Sequence, residues 1–150
     1  MENIKVNFMR TEPHALPCPE YATNGAAAFD FRANVGENNI VIEPGKCVAI
    51  PTGFAVEIPF GYVGIVCARS GLAAKHGIGL ANGIGVIDSD YRGEVKILLA
   101  NHGENDFTVT HGERIGQMMI MPYIKAQISE VSELSETERG VGGFGSTGTK

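Results

Sequence analysis

The feature that most constrains this chain is a series of short apolar runs, each ended by Gly or Pro before a helix of useful length can form. Ile4–Met9 alternates, and the β-branched Asn39–Ile42 is followed by the turn Pro44-Gly45. Cys47–Ile50 and Phe54–Ile58 are separated by Pro51-Thr52-Gly53, and Pro59-Phe60-Gly61 turns the chain into Tyr62–Cys67. Glu94–Leu99, Phe107–Val109 and Gln117–Tyr123 continue the pattern. Strands at this spacing and with this punctuation predict an all-β sandwich or barrel. Ser70–His76 is the one short helix candidate, and the acidic Ser129–Glu138 reads as an exposed connector.

The 150 residues fit one β domain over 1–138, followed by a glycine-rich tail over 139–150. A net charge of −5 argues against a broad nucleic-acid surface, which needs a concentrated positive field. A small anion needs only a few well-placed donors, so it stays open. No apolar run approaches the ~18 residues of a membrane span, and Met-Glu-Asn-Ile-Lys-Val does not begin a signal peptide. A cytoplasmic location is expected. Cys18, Cys47 and Cys67 form neither a zinc pattern nor a disulfide framework, and Cys67 reads as a buried small hydrophobe. His14, His76, His102 and His111 have no metal-ligand spacing and read as surface residues.

Several segments carry chemistry. In Arg139 to Gly148, five glycines let backbone N–H groups converge on an anion. Ser146 and Thr147 add hydroxyls, Arg139 adds a planar cationic fork, and Phe144 has no core to join and suits stacking on a base. Ala68-Arg69-Ser70-Gly71-Leu72 leaves a strand and opens the short helix. It reads either as a phosphate site or as an N-cap Ser beside a solvated Arg. Asn82 to Gly93 holds Asp88, Asp90 and Tyr91. The two carboxylates share a face only if the stretch is extended, and an ordinary Asp-Ser-Asp turn is the alternative. A carboxylate beside a bound phosphate can accept a proton from water or help hold a cation. Asp30 lies between Phe29 and Phe31, so in a strand it points away from them, with solvent exposure expected. In Glu113-Arg114-Ile115-Gly116-Gln117, Gln117 is the candidate donor.

In order and spacing these segments resemble the trimeric dUTP pyrophosphatases, the dUTPases, whose sequences carry five ordered motifs. Ala27-Ala28-Phe29-Asp30-Phe31 is similar to the first and Arg69-Ser70-Gly71-Leu72-Ala73 to the second. Gly85 to Gly93 is similar to the third, Glu113 to Gln117 to the fourth, and Arg139 to Gly148 to the fifth. The family usually has Gly at position 28, Leu at 31, Pro at 68 and Ala at 116. This chain has Ala28, Phe31, Ala68 and Gly116, and none of these changes removes a polar functional group.

The resemblance implies a distorted jelly-roll-like β-barrel with one short helix, assembled as a homotrimer with shared active sites. It implies hydrolysis of dUTP to dUMP and pyrophosphate, limiting uracil in DNA and supplying dUMP for thymidylate synthesis. Asp88 would activate the water that attacks the α-phosphorus. Asn82, with backbone near Val86 and Ile87, would read uracil. Tyr91 would pack on the deoxyribose, and Lys96 would lie near the substrate. Arg69, Ser70, Gly71 and Gln117 would hold phosphates. Arg139, Phe144, Gly145, Ser146 and Thr147 would close over the ligand as a flexible lid from a third subunit. Mg²⁺ would ride on the triphosphate, with Asp30 at most a water-mediated support. A dCTP deaminase-like enzyme and a non-catalytic dUTP-binding regulatory module are the alternatives on the same fold.

Overall fold

The apolar runs become strands, and the largest departure from the sequence reading lies at Pro51-Thr52-Gly53. The structure, a computed structural model, describes residues 4–144. It contains ten strands and one helix: β1 (Asn7–Arg10), β2 (Phe29–Arg32), β3 (Ile40–Ile42), β4 (Cys47–Glu57), β5 (Tyr62–Cys67), α1 (Ser70–His76), β6 (Ile78–Leu80), β7 (Gly85–Ile87), β8 (Glu94–Asn101), β9 (Phe107–Val109) and β10 (Arg114–Pro122). Cys47–Ile50 and Phe54–Ile58, expected as two strands, belong largely to one, β4. Along its antiparallel ladder with β8, Pro51 pairs with Lys96 but Ala55 pairs with Glu94. The extra residues form a bulge rather than a turn between strands. The sequence reading also passed over β6 and β7, each only three residues long.

The all-β reading holds. Among the described residues the strands bond into three sheets, β1-β4-β8-β6, β2-β10-β5-β7 and β3-β9, rather than into one closed ring. All three contribute to one core. Phe31, Ile42, Ile50, Val95, Ile97, Leu99, Val109, Ile115 and Met118 are buried in it. The alternation expected of half-buried strands is clear in β8, where Val95, Ile97 and Leu99 point inward and Lys96 and Leu98 outward. Phe31, where the resemblance leads one to expect Leu, is fully buried and packs edge-on against Phe29 (5.8 Å) and Phe8 (6.3 Å). The larger ring thus joins an aromatic group that ties β1 to the strand carrying Asp30. Gly116 is also buried, and a Cβ there would lie 3.2 Å from Ile97 Cδ1, so the Ile at 97 leaves little room for the usual Ala.

α1 spans the expected residues. It ends at Gly77, whose φ of 67° lets its N–H reach the Ala73 and Leu72 carbonyls. Residues 123–138 form no helix or strand and are exposed throughout, as expected of a connector. No helix of the described residues is long and apolar enough to cross a membrane.

Two buried polar side chains replace missing ladder bonds. Thr52 Oγ1 donates to the Val95 carbonyl at 2.6 Å, closing the β4 bulge onto β8. Asn101 donates to the carbonyls of Ile42 (2.7 Å) and Asn105 (2.8 Å) and accepts the Gly103 N–H (2.9 Å). Asn101→Ala leaves these partners unpaired. It should lower unfolding free energy by about 2–4 kcal/mol in urea denaturation at fixed protein concentration. A change below about 0.5 kcal/mol would show that water replaces all three bonds.

Candidate active site

The stretch from Asp88 to Gly93 belongs to no strand. β7 ends with Ile87 opposite Gly64, and β8 begins with Glu94 opposite Ala55. Between them the chain turns, with the Tyr91 N–H donating to the Asp88 carbonyl at 3.2 Å. This settles the question of the two carboxylates. Asp88 lines a cleft of about 540 Å³ with Val86, Ile87, Tyr91, Glu94 and Lys96, while Asp90 lines a different depression with Glu57 and Arg92. The cleft therefore collects an exposed carboxylate, an aromatic ring, a cation and an apolar edge from β7.

Tyr91 is held from two sides. Its hydroxyl donates to the Glu94 carbonyl at 2.9 Å, and its ring lies over Gly93. A Cβ on Gly93 would overlap that hydroxyl and stand 2.6 Å from Cζ. Glu94, which the sequence reading did not single out, anchors the floor. Its Oε1 accepts the Gly53 N–H at 2.8 Å, and its Oε2 lies 3.8 Å from Lys96 Nζ. Gly53 has a φ of 75°, and a Cβ there would lie 2.7 Å from Asn34 Nδ2, so the bulge requires glycine. His14 packs against the same bulge. Its Nε2–H donates to the Gly53 carbonyl (3.0 Å), its Nδ1 accepts from Arg10 (2.8 Å), and its ring meets Phe54 edge-on. His14 is thus half-buried rather than a surface residue, because its ring packs on Phe54 while both ring nitrogens find partners.

A second cluster joins the first, second and fourth segments. Asp30, Gln117 and Cys67 lie in register across β2, β10 and β5. Asp30 is not solvent-exposed as expected. Its carboxylate accepts from Arg69 Nε at 2.8 Å and Arg114 Nη1 at 3.2 Å, and only 20% of the side chain remains accessible. Arg69 also donates to the Arg114 carbonyl at 3.3 Å. It is therefore a paired cation rather than a solvated one. It occupies the N-cap position, so Ser70 is the first helical residue and caps nothing. Ser70 and Gly71 are exposed at that helix start. Gln117 donates to the Ala68 carbonyl at 2.9 Å. Arg114 was missed as a site residue. The signal was a cation in the fourth segment, on the strand that pairs with the one carrying Asp30. The register shift between Arg114 and Gly116 hid its direction from a strict alternation.

The remaining candidates lie apart. Asn82 is exposed in the turn between β6 and β7, with its amide nitrogen 3.8 Å from the Cβ position of Gly85. Arg139 Nε donates to the Gly142 carbonyl (2.8 Å), and Phe144 is fully exposed with a φ of 50°. Gly145, Ser146 and Thr147 lie outside the described residues. Cys67 is half-buried rather than buried, since Gly64 and Val66 take the inward positions of β5. Cys18 is exposed, yet partial burial of its thiol pushes its pKa up, opposed by Arg10 and assisted by Glu20. Among the described residues no three His, Cys, Asp or Glu side chains group to hold a metal. The chemistry present, one carboxylate already holding two arginines, suits a cation delivered by its ligand rather than a protein cage.

Comparison with known proteins identifies the family of the chain. The dUTPase family model matches residues 14–148. A deoxyuridine 5'-triphosphate nucleotidohydrolase of Rhizobium etli (strain CIAT 652) is 54% identical over 134 residues, covering 89% of this chain and 86% of that protein. One from Desulfitobacterium hafniense (strain DSM 10664 / DCB-2) is 49% identical over 150 residues, covering 99% of each. Among solved structures, the dUTPase of Staphylococcus bacteriophage 80alpha with dUPNHPP superimposes with a TM-score of 0.85 at 27% identity, covering 97% of this chain and 99% of that one. It comes from work in which phage dUTPases control transfer of virulence genes by a proto-oncogenic G protein-like mechanism.

The packing of Tyr91 makes a local prediction. A crystal structure of Gly93→Ala should show the ring displaced and its hydroxyl bond to Glu94 lost. A ring left in place over Ala would refute the steric argument.

Proposed function

This chain belongs to the dUTPase family, and from that premise we propose that it hydrolyses dUTP to dUMP and pyrophosphate in a site assembled from two separated halves. The observation that carries the reading is the cleft in which Asp88, Tyr91 and Lys96 stand against the β7 edge of Val86 and Ile87. That grouping supplies a base, a sugar platform, a cation and backbone for a pyrimidine.

Phosphoanhydride cleavage asks a protein mainly for in-line positioning, charge neutralisation and an activated water. Asp88 accepts a proton from the water that attacks the α-phosphorus, and pyrophosphate leaves. Asn82 and the backbone at Val86 and Ile87 read the uracil edge. Cytosine reverses the donor at the 4-position, so it leaves buried groups unpaired. Tyr91 lies against the deoxyribose and excludes a 2′-hydroxyl, with Lys96 beside it. Arg69, Ser70, Gly71 and Gln117 hold the phosphates. Mg²⁺ enters with the triphosphate as part of the substrate and neutralises phosphate charge. Asp30, occupied by its arginines, reaches that cation at most through water.

The phosphate cluster does not share the cleft. None of Arg69, Ser70, Gly71 and Gln117 lines the Asp88 cleft. One chain therefore presents two incomplete surfaces, which supports a homotrimer whose sites draw on neighbouring subunits. Residues 139–150 act as a lid, with Arg139 for the far phosphates and Phe144 stacked on uracil. Gly145, Ser146 and Thr147 complete it, and closure excludes water from the phosphates. Exposed Cys18 and Cys47 are free, which suits the reducing cytoplasm. In the cell the reaction keeps dUTP from DNA synthesis and yields dUMP for thymidylate synthesis.

Pyrophosphate release should be seen with dUTP and Mg²⁺ and be far weaker with dTTP, dCTP and UTP. Ammonia release from dCTP would instead support the deaminase reading, and tight dUTP binding without turnover the regulatory one. Asp88→Asn should lower kcat at least about 100-fold while dUTP still binds. Near-normal turnover would remove Asp88 as the base. Deleting Gly140–Lys150 should abolish activity and leave the folded assembly intact by light scattering. Full turnover by the truncated chain would refute the lid.

A further inference from the structure

We propose that Arg92 is a positioning residue that holds the Asp88–Tyr91 turn in shape from behind, with Glu57 as its anchor. The inference rests on the reading of Asp88 and Tyr91 as the base and the sugar platform. The turn has little of its own to hold it. It lies between two ladders, and its backbone bond, Tyr91 N–H to the Asp88 carbonyl, is 3.2 Å long, at the weak end of the useful range.

Arg92 supplies what the turn lacks. Its Nη1 carries two hydrogens, and two carbonyls of the turn lie within reach, Ser89 at 2.8 Å and Tyr91 at 3.0 Å. One planar nitrogen thus closes the turn on itself with charge-assisted bonds. Nη2 lies 3.4 Å from Glu57 Oε1, and Glu57 Oε2 accepts from Asn7 Nδ2 at 2.6 Å. The turn is thereby tied to β4 and, through Asn7, to β1. None of this occupies the cleft. Arg92, Glu57 and Asp90 line one depression, Asp88 and Tyr91 the other, and the two share no lining residue. Arg92 acts on the carboxylate and the ring through the backbone that carries them. Lysine cannot reproduce the geometry. A tetrahedral ammonium lacks the planar pair of hydrogens and the second nitrogen for Glu57.

The test uses the full chain with Arg92→Gln, Arg92→Lys and Glu57→Gln. Amide hydrogen exchange without nucleotide should be faster across residues 88–92 in Arg92→Gln, with the core strands unchanged. With dUTP, kcat should fall about 10- to 100-fold, as small misplacements of a catalytic group do. Inhibition by inorganic pyrophosphate, which probes the phosphate cluster alone, should stay within about twofold, since Arg92 leaves that cluster untouched. Arg92→Lys should recover part of the loss, and Glu57→Gln should cost less than about fivefold, as expected of an exposed ion pair. Unchanged exchange in the turn of Arg92→Gln would overturn the proposal, and so would a kcat loss matched by equal loss of pyrophosphate inhibition and global stability. If the unmutated chain fails to hydrolyse dUTP, the functional reading falls, while the exchange measurement still decides the role of Arg92.

Discussion

The β4–β8 ladder and its bulge at Gly53 underlie the rest of this structure. Gly53 presents its N–H to Glu94 on one side and its carbonyl to Thr11 and His14 on the other. Thr52 bonds the Val95 carbonyl from inside the core. These contacts set where β8 begins, and hence where Tyr91, Glu94 and Lys96 stand around the cleft. A straight strand would satisfy its own ladder there and leave Glu94 without that backbone partner. The irregular backbone is stabilised because each displaced polar group finds another.

The site follows from a second constraint, the six residues between β7 and β8 that no ladder supports. An unsupported turn can aim a carboxylate into a cleft that a strand residue could not face, but it must be held by side chains. Tyr91 and Arg92 do this from opposite sides, one over Gly93 and the other on the turn carbonyls. The cluster around Asp30 is built the other way. Asp30 and Gln117 sit in register on paired strands, and one carboxylate orients two guanidinium groups. These charges remain partly accessible, so their pairing contributes orientation more than stability.

Much of this was legible in the sequence. Ser70–His76 and Tyr62–Cys67 were read to the residue, because a strand-to-helix switch and Gly/Pro punctuation mark their ends. Asp88 and Tyr91 were found through the motif they share and Lys96 through the family resemblance, and all three line one cleft. Pro51-Thr52-Gly53 was misread because a bulge and a turn use the same residues, and only the partner strand distinguishes them. Asp30 was expected in solvent because local alternation shows which face a side chain takes, not which cations another strand brings to it. Arg114 and Glu94 were passed over for that reason, since their roles arise from cross-strand neighbours far away in sequence.

The central claim is that dUTP is cleaved in sites completed by more than one chain, and subunit complementation tests it most directly. Chains carrying Asp88→Asn and chains lacking Gly140–Lys150 are each expected to be inactive as uniform assemblies. Unfolded together and refolded, they should regain pyrophosphate release, because Asp88 of the truncated chain then meets the intact tail of its neighbour. A mixed assembly that forms yet stays inactive would contradict a tail supplied by another subunit.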